Sequence, residues 1–240
     1  MTDPPMSMAR IGEPSRAEST NRTWHHRAID ETVALVSAAA EAGVSTIQLR
    51  WKNVDAGYLF DLVREAARAL STGSNGATSG AHPLPQLIVN DRIDVFVAAR
   101  EAGIHVDGVH VGQTDLPARS TRVLVGDSAQ IGWSASTPSE LDDARALGTV
   151  IDCLGVAVVR STATKTDAPD ALGVSGIDEI ARSISLPVIA IGGIIRDDIP
   201  AIAASQIHSA AVVSAIVAAE DPGEAAADLV TLWNSAKEQL

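Results

Sequence analysis

Residues 87–115 read LIVNDRIDVFVAAREAGIHVDGVHVGQTD. The short apolar run Leu87–Asn90 leads into Arg92–Ala102, where apolar residues recur at helical spacing, and a second run follows at Gly108–Val111. Strand, helix and strand in that order form one βα crossover, and strands joined by a helical crossover pair in parallel. Right-handed crossovers restrict the outcome to a closed barrel or a doubly wound sheet.

The same unit repeats on both sides. Upstream lies the apolar run Val44–Leu49; downstream lie Gln130–Ser134, Val150–Val156, Pro187–Ile191 and Ala210–Ser214. Helical periodicity covers Ile29–Ala42, Val54–Leu70, Pro138–Leu147, Ser175–Ile184, Asp197–Ala204 and Pro222–Glu238. Strands that read as apolar on both faces belong in a parallel sheet. Seven strands with a helix before the first predict an eighth strand upstream of Ile29, where only Met8–Ile11 is faintly apolar. The fold class is therefore α/β, a (β/α)8 TIM barrel with a weakly encoded first strand. Residues 1–27, rich in Pro, Ser, Thr and charge, read as a disordered N-terminal tail, and residues 28–240 as a single barrel domain. The Gly/Ser/Pro run at 71–86 reads as a flexible surface loop within it.

The chain of 240 residues is near the ~250 typical of one such barrel. Its 18 Lys and Arg against 30 Asp and Glu leave a net charge of −12, which opposes attraction to nucleic acid or anionic lipid. An anionic substrate would need a local positive site. Aromatic residues make up only 3%, so Ala, Val, Ile and Leu must build the core. The lone Cys153 lies in an apolar run and reads as a small buried hydrophobe. Apolar stretches are too short to span a membrane, and the first residues lack the apolar core of a secretory signal, so a cytoplasmic location is expected. His25, His26 and His82 stand in polar surroundings without ligand spacing and read as solvated.

Ligands of parallel α/β folds bind beyond the carboxyl ends of the strands, so the residues after each apolar run carry the chemistry. Gln48-Leu49-Arg50-Trp51-Lys52 puts two cations at one loop mouth. Asn90-Asp91-Arg92 and Gly112-Gln113-Thr114-Asp115 offer a carboxylate from each of two adjacent strands, as a shared hard cation requires. Taken alone, Asp91 reads as a helix N-cap or first-turn acid, and His110 as a satisfied interior histidine. Later exits supply Ser134, Ser136 and Thr137, then Thr162-Ala163-Thr164-Lys165, then Gly192-Gly193, then Val213-Ser214. Two hydroxyls with an ammonium, or glycines that admit close approach, suit a phosphate, and an ordinary polar loop or a tight turn is the competing explanation.

Taken in order, Gln-Leu-Arg-x-Lys, Asn-Asp-Arg, His-Val-Gly-Gln-x-Asp-Leu, Gly-x-Ser-x-x-Thr, Thr-x-Thr-Lys, Ile-Gly-Gly-Ile and Val-Val-Ser-Ala-Ile resemble the thiamine phosphate synthase family from about residue 29 to the C-terminus. The resemblance implies a (β/α)8 barrel that joins 4-amino-2-methyl-5-hydroxymethylpyrimidine diphosphate to a thiazole phosphate, with Mg2+ as cofactor and these two small molecules as its substrates. It implies that Asp91 and Asp115 bind Mg2+, and that Arg50, Lys52, Asn90 and Lys165 hold the diphosphate, with Arg50, Lys52 and Lys165 catalytic. Gln48 and Ser134 would then face the pyrimidine, and Thr162, Thr164, Gly193, Val213 and Ser214 would surround the thiazole phosphate. Assembly into a homo-oligomer is left open.

The chain departs from the family pattern at several positions. Trp51 replaces a Glu, Trp133 a small apolar residue, Ser136 a His, Ala157-Val158 a Gly-Pro and Ser161 a Pro, and Gln206, His208 and Ser209 alter a Gly-Ala-Asp-Gly stretch. Two rival readings follow, a thiazole tautomerase-like isomerase and a catalytically weak barrel that binds a thiamine precursor. The isomerase would need a general acid or base where Ser136 stands.

Overall fold

The computed structural model describes residues 6–10, 22–73, 83–160 and 171–239, with the backbone alone at 6–10 and 73. Seven parallel strands follow one another round a curled sheet. They are β2 (Thr46–Arg50), β3 (Gln86–Asn90), β4 (Gly108–Val111), β5 (Gln130–Ser134), β6 (Cys153–Ala157), β7 (Val188–Ile191) and β8 (Ser209–Val212). Strand β1 (Met6–Arg10) pairs in parallel with both edges, Ser7 beside Ile47 on β2 and beside Val212 on β8, which closes the sheet. The architecture is a TIM-like α/β fold. Around it run α1 (Arg22–Glu41), α2 (Ala56–Gly73), α3 (Ile93–Glu101), α4 (Ala118–Val125), α5 (Pro138–Leu147), α6 (Gly173–Ser183), α7 (Ile199–Ala203), α8 (Ser214–Val217) and α9 (Pro222–Lys237).

Alternation along each strand, together with the register between strands, separates two interiors. Residues paired laterally share a face, and residues one apart lie on opposite faces. Ile47 and Leu49 on β2, Leu87 and Val89 on β3, Val109 and Val111 on β4, Ile131 and Trp133 on β5, and Leu154 and Val156 on β6 all join the apolar cluster packed under the helices. Their neighbours Gln48, Asn90, His110, Gly132, Ser134 and Gly155 fall on the other face, toward the bore, where Asn90 pairs with His110, His110 with Gly132, and Ser134 with Gly155. The strands were expected to be apolar on both faces, and this holds for part of the sheet: Ile88, in register with Gln48, and Ile189 and Ile191, in register with Gly155 and Ala157, share the bore side with these polar residues and glycines. Burial of the outer face supplies the cohesion, at about 25 cal/mol per Å² of apolar surface. The bore is left for chemistry.

Several expectations are corrected. The first strand is Met6–Arg10, not Met8–Ile11, and α1 begins at Arg22, so part of the stretch read as a tail is strand and helix. Polar composition hid that helix, because its anchoring contacts come from elsewhere. His25, expected in solvent, is buried and stacks on Tyr58 of α2 at 3.8 Å between ring centroids, with Trp24 edge-on at 5.2 Å; His26 is exposed. His82 lies outside the described residues.

Helix α4, between β4 and β5, was not expected at all. Its sequence ARSTRVLV buries Ala118, Thr121 and Val125 but leaves Val123 83% and Leu124 55% exposed, so its apolar residues do not mark the buried face. The run Val150–Val156 divides into a 3-10 turn at Gly148–Val150 and strand β6, which starts at Cys153. The last strand stops at Val212, and Ser214 opens α8. Of the expected loop at 71–86, residues 71–73 complete α2, Gln86 starts β3, and 74–82 lie outside the described residues. Cys153, expected to be a buried hydrophobe, is a half-buried free thiol pushed up to about 12, first by burial and then by Asp152, which keeps it in the unreactive thiol form.

Helix α9 packs against α1 and α7 and completes the helical layer. Its Trp233 is fully buried, with the Lys237 ammonium 5.5 Å from the ring centroid. Trp233→Ala is expected to lower the free energy of unfolding by about 3–5 kcal/mol, the range for emptying an aromatic site in a core. Equilibrium urea unfolding measures it.

Candidate functional site

At the β2 and β3 exits the backbone turns sharply. Asn53 and Asp91 both take left-handed φ values, 56° and 62°, a conformation that Asn and Asp tolerate better than most residues. The Asp91 N–H donates to the His110 carbonyl at 2.8 Å, which ties the end of β3 to β4. Asp91 does not cap α3: the N-cap is Arg92 without a side-chain cap bond, and the first-turn acid is Asp94. Arg92 is committed to that acid, with Nε 2.8 Å from Asp94 Oδ1 and Nη2 2.5 Å from Oδ2. The helix-capping explanation of Asp91 therefore does not hold.

Asp91 faces Asp115 instead. Its carboxyl is pushed up to about 6, first by burial, then by the charge of Asp115 and a hydrogen bond to it, while Lys52 and Arg50 pull it back. The β4–α4 loop is folded so that Asp115 Oδ2 accepts the Gly112 N–H at 2.7 Å, which fixes the carboxyl that interacts with Asp91. Two carboxylates and two cations from three strand exits thus converge. Crowded, partly buried carboxylates call for a cation, and Mg2+ is satisfied by one or two of them plus water and phosphate oxygens. Among the described residues no group of three or more His, Cys, Asp or Glu side chains is placed to enclose a metal, so this donor set suits an ion shared with a substrate.

Below the rim, the bore is laced by side chains. Gln48 Nε2 donates to Asn90 Oδ1, both residues being buried. His110 Nε2 and Ser134 Oγ share a hydrogen bond at 2.9 Å, and Gln113 Nε2 donates to the Ser134 carbonyl at 2.7 Å. The imidazole lies in a slot cut by two glycines. A Cβ on Gly132 would stand 2.4 Å from His110 Nδ1, and one on Gly155 2.8 Å from its Cε1. Ser136 Oγ accepts the Ala157 N–H at 3.1 Å, and Thr137 caps α5 in a reciprocal bond pair with Glu140, so both hydroxyls are structural.

The β7 exit turns through Gly192 and Gly193, with φ of 95° and 68°. Besides that backbone demand, a Cβ on Gly193 would meet the Arg160 carbonyl oxygen at 2.6 Å. Arg160 is anchored by a two-pronged bond to Asp198, Nε to Oδ2 at 3.1 Å and Nη2 to Oδ1 at 2.6 Å. This bond, ahead of a backbone bond from Ile195, holds the Asp198 carboxyl below the ordinary carboxylate range. Val213 is half-buried and Ser214 exposed at the last strand exit. Thr162, Thr164 and Lys165 lie outside the described residues. A cavity of about 540 Å3 lined by Arg145, Thr149, Asp152, Ser183 and Leu186 opens at the opposite end, where β6 and β7 begin, and none of the candidate residues borders it.

A family model described as thiamine monophosphate synthase matches residues 23–216. The chain belongs to the thiamine monophosphate synthase family. It is 38% identical over 200 residues to a thiamine-phosphate synthase of Vibrio parahaemolyticus, covering 83% of this chain and 90% of that one. Identity to the thiamine-phosphate synthase of Corynebacterium efficiens is 36% over 206 residues, covering 86% and 90%. The solved thiamine phosphate pyrophosphorylase of Pyrococcus furiosus superposes with a TM-score of 0.74 at 24% identity, covering 98% of each chain, which carries the fold.

Within this family member, sequence reasoning missed the engagement of His110 with Ser134 and the Arg160–Asp198 pair. Strand alternation could have placed His110 and Ser134 on one face; no local signal joins residues 160 and 198. Trp51, between Arg50 and Lys52, turns away from the bore into ring contact with Trp24 at 6.0 Å and His25 at 5.6 Å, its buried Nε1–H without a partner among the described residues. Gly132→Ala is expected to drive the imidazole off Ser134 and to cost about 1–3 kcal/mol by overpacking. Urea unfolding reads the energy, and the nitrogen shifts of the His110 ring in NMR read the displacement.

Proposed function

We propose that the chain is a transferase that couples 4-amino-2-methyl-5-hydroxymethylpyrimidine diphosphate to 4-methyl-5-(2-phosphoethyl)thiazole and releases diphosphate, on a complete (β/α)8 scaffold that includes β1. The observation that carries this reading is the convergence of Asp91 and Asp115 with Arg50 and Lys52 at one rim. Arg50, Lys52, Asn90 and Lys165 hold the diphosphate, Gln48 and Ser134 orient the pyrimidine, and Thr162, Thr164, Gly193, Val213 and Ser214 receive the thiazole phosphate. Asp91 and Asp115 would hold Mg2+, which when bound neutralises charge on the diphosphate oxygens.

The reaction needs no protein nucleophile. The methylene carbon–oxygen bond breaks with both electrons leaving on the diphosphate, and the thiazole nitrogen lone pair closes the new carbon–nitrogen bond. Preorganised cations stabilise the charge as it develops, and alignment of the two substrates replaces a bimolecular encounter. Lys165 is assigned to that departing charge. An isomerase is disfavoured because position 136 carries a serine hydroxyl, bonded by the Ala157 N–H, and not a group that titrates near neutral pH as an acid or base must. A precursor-binding barrel would form no product.

Purified protein incubated with both substrates and Mg2+ is expected to form thiamine phosphate, and none when the metal is omitted. No product, or equal product without metal, refutes the assignment. Lys165→Ala is expected to lower kcat by about two orders of magnitude or more at saturating substrates, the scale of a lost group that stabilises developing charge. Asp91→Asn should raise the Tm of the metal-free protein by relieving crowding with Asp115, and should abolish the Tm increase on adding Mg2+ that is expected of wild type by linkage. Calorimetric scans with and without the ion read both effects.

A further inference from the structure

The main chain from Ala157 to Arg160 leaves β6 with no proline or glycine to restrict or specialise its dihedrals. What holds it is long-range. Val159 N and Arg160 N both donate to the Gly192 carbonyl, at 3.0 and 3.1 Å, and the Arg160 carbonyl lies against Gly193. From the same residue, the guanidinium reaches across the turn to both oxygens of Asp198, just ahead of α7. The Asp198 side chain is 7% exposed and also accepts the Ile195 N–H at 3.0 Å; that of Arg160 is 53% exposed. Gly192 and Gly193 are thus gripped by the backbone of residue 160 on one side and by a turn pinned through its side chain on the other.

We infer that Arg160 and Asp198 are a positioning pair that sets the Gly192–Gly193 turn, and with it the Gly193 N–H, for the phosphate of the thiazole substrate. This rests on the assignment of Gly193 to that phosphate under Proposed function. An ion pair with one partner half in water adds little stability. A two-pronged guanidinium–carboxylate contact nevertheless fixes direction as well as distance, which an ammonium cannot reproduce. The Nε and Nη2 donors of Arg160 are committed to Asp198, which fixes the direction of the guanidinium relative to the turn.

The test compares wild type, Asp198→Asn, Arg160→Lys and the double variant in steady-state assays, with calorimetric titration of the thiazole phosphate alone. The expected result is a rise of about tenfold in KM and Kd for the thiazole phosphate in each single variant, the equivalent of one charge-assisted hydrogen bond. KM for the pyrimidine diphosphate should stay within about twofold, and the double variant should be no worse than the singles, as coupled partners require. Unchanged Kd, an equal loss for both substrates together with a fall in Tm, or tighter phosphate binding by Asp198→Asn would each overturn the inference; the last would make the freed Arg160 a direct ligand. A wild type that binds the thiazole phosphate but makes no thiamine phosphate overturns the proposed reaction alone, and the Kd comparison still decides the pair. If wild type does not bind it, both fall.

Discussion

All strands of a closed parallel barrel end at one rim, and successive residues on each strand face opposite ways. That geometric constraint governs everything else in this chain. It sends Ile47, Leu49, Leu87, Val89, Val109 and Val111 into the layer beneath the helices and their alternates Gln48, Asn90 and His110 into the bore. Cohesion and chemistry are therefore carried by interleaved residues of the same short strands. A shift of one position in register would bury the polar set under the helices and expose the apolar set to the bore, which is why the strands tolerate so little slippage.

The rim concentrates opposite charges in a protein of strongly negative balance. Asp91 is crowded by Asp115 and buried enough for its carboxyl to titrate near 6, while Arg50 and Lys52 offset part of the repulsion. The arrangement is unfavourable as it stands and becomes favourable when a cation and a polyanion arrive together. Backbone geometry supports it: the left-handed turn at Asp91 is secured by its N–H bond to the His110 carbonyl, and Gly112 orients Asp115. Elsewhere glycine does a different task. Gly132 and Gly155 make room for the His110 ring, and Gly192 and Gly193 allow β6 and β7 to exit in close contact.

Departures from the family pattern are absorbed by packing. Trp51 faces outward, where it joins Trp24, His25 and Tyr58 between β2, α1 and α2, and so leaves Arg50 and Lys52 at the mouth. Ser136, in place of a His, ties the β5 exit to β6 through the Ala157 N–H. The Arg160–Asp198 bond then connects the β6 exit to the turn before α7. Three successive exits on this side of the barrel are thereby joined by contacts that no single exit could make alone.

The βα repeat, its approximate boundaries, the polar residues at each exit and the family pattern were legible in the sequence, because periodicity and turn chemistry are local properties written within a few residues. The strand Met6–Arg10 was not, since it is defined by pairing with β2 and β8 rather than by a hydrophobic run of its own. Helix α4 escaped because two of its apolar residues face solvent, and buried His25 escaped because the rings that enclose it come from residues 24, 51 and 58. The sequence supplied Asp91, Asp115, Arg50 and Lys52 as separate candidates. Only the tertiary structure decided that they meet, because the facing of side chains 24 or more residues apart depends on register and barrel closure, which no local pattern encodes.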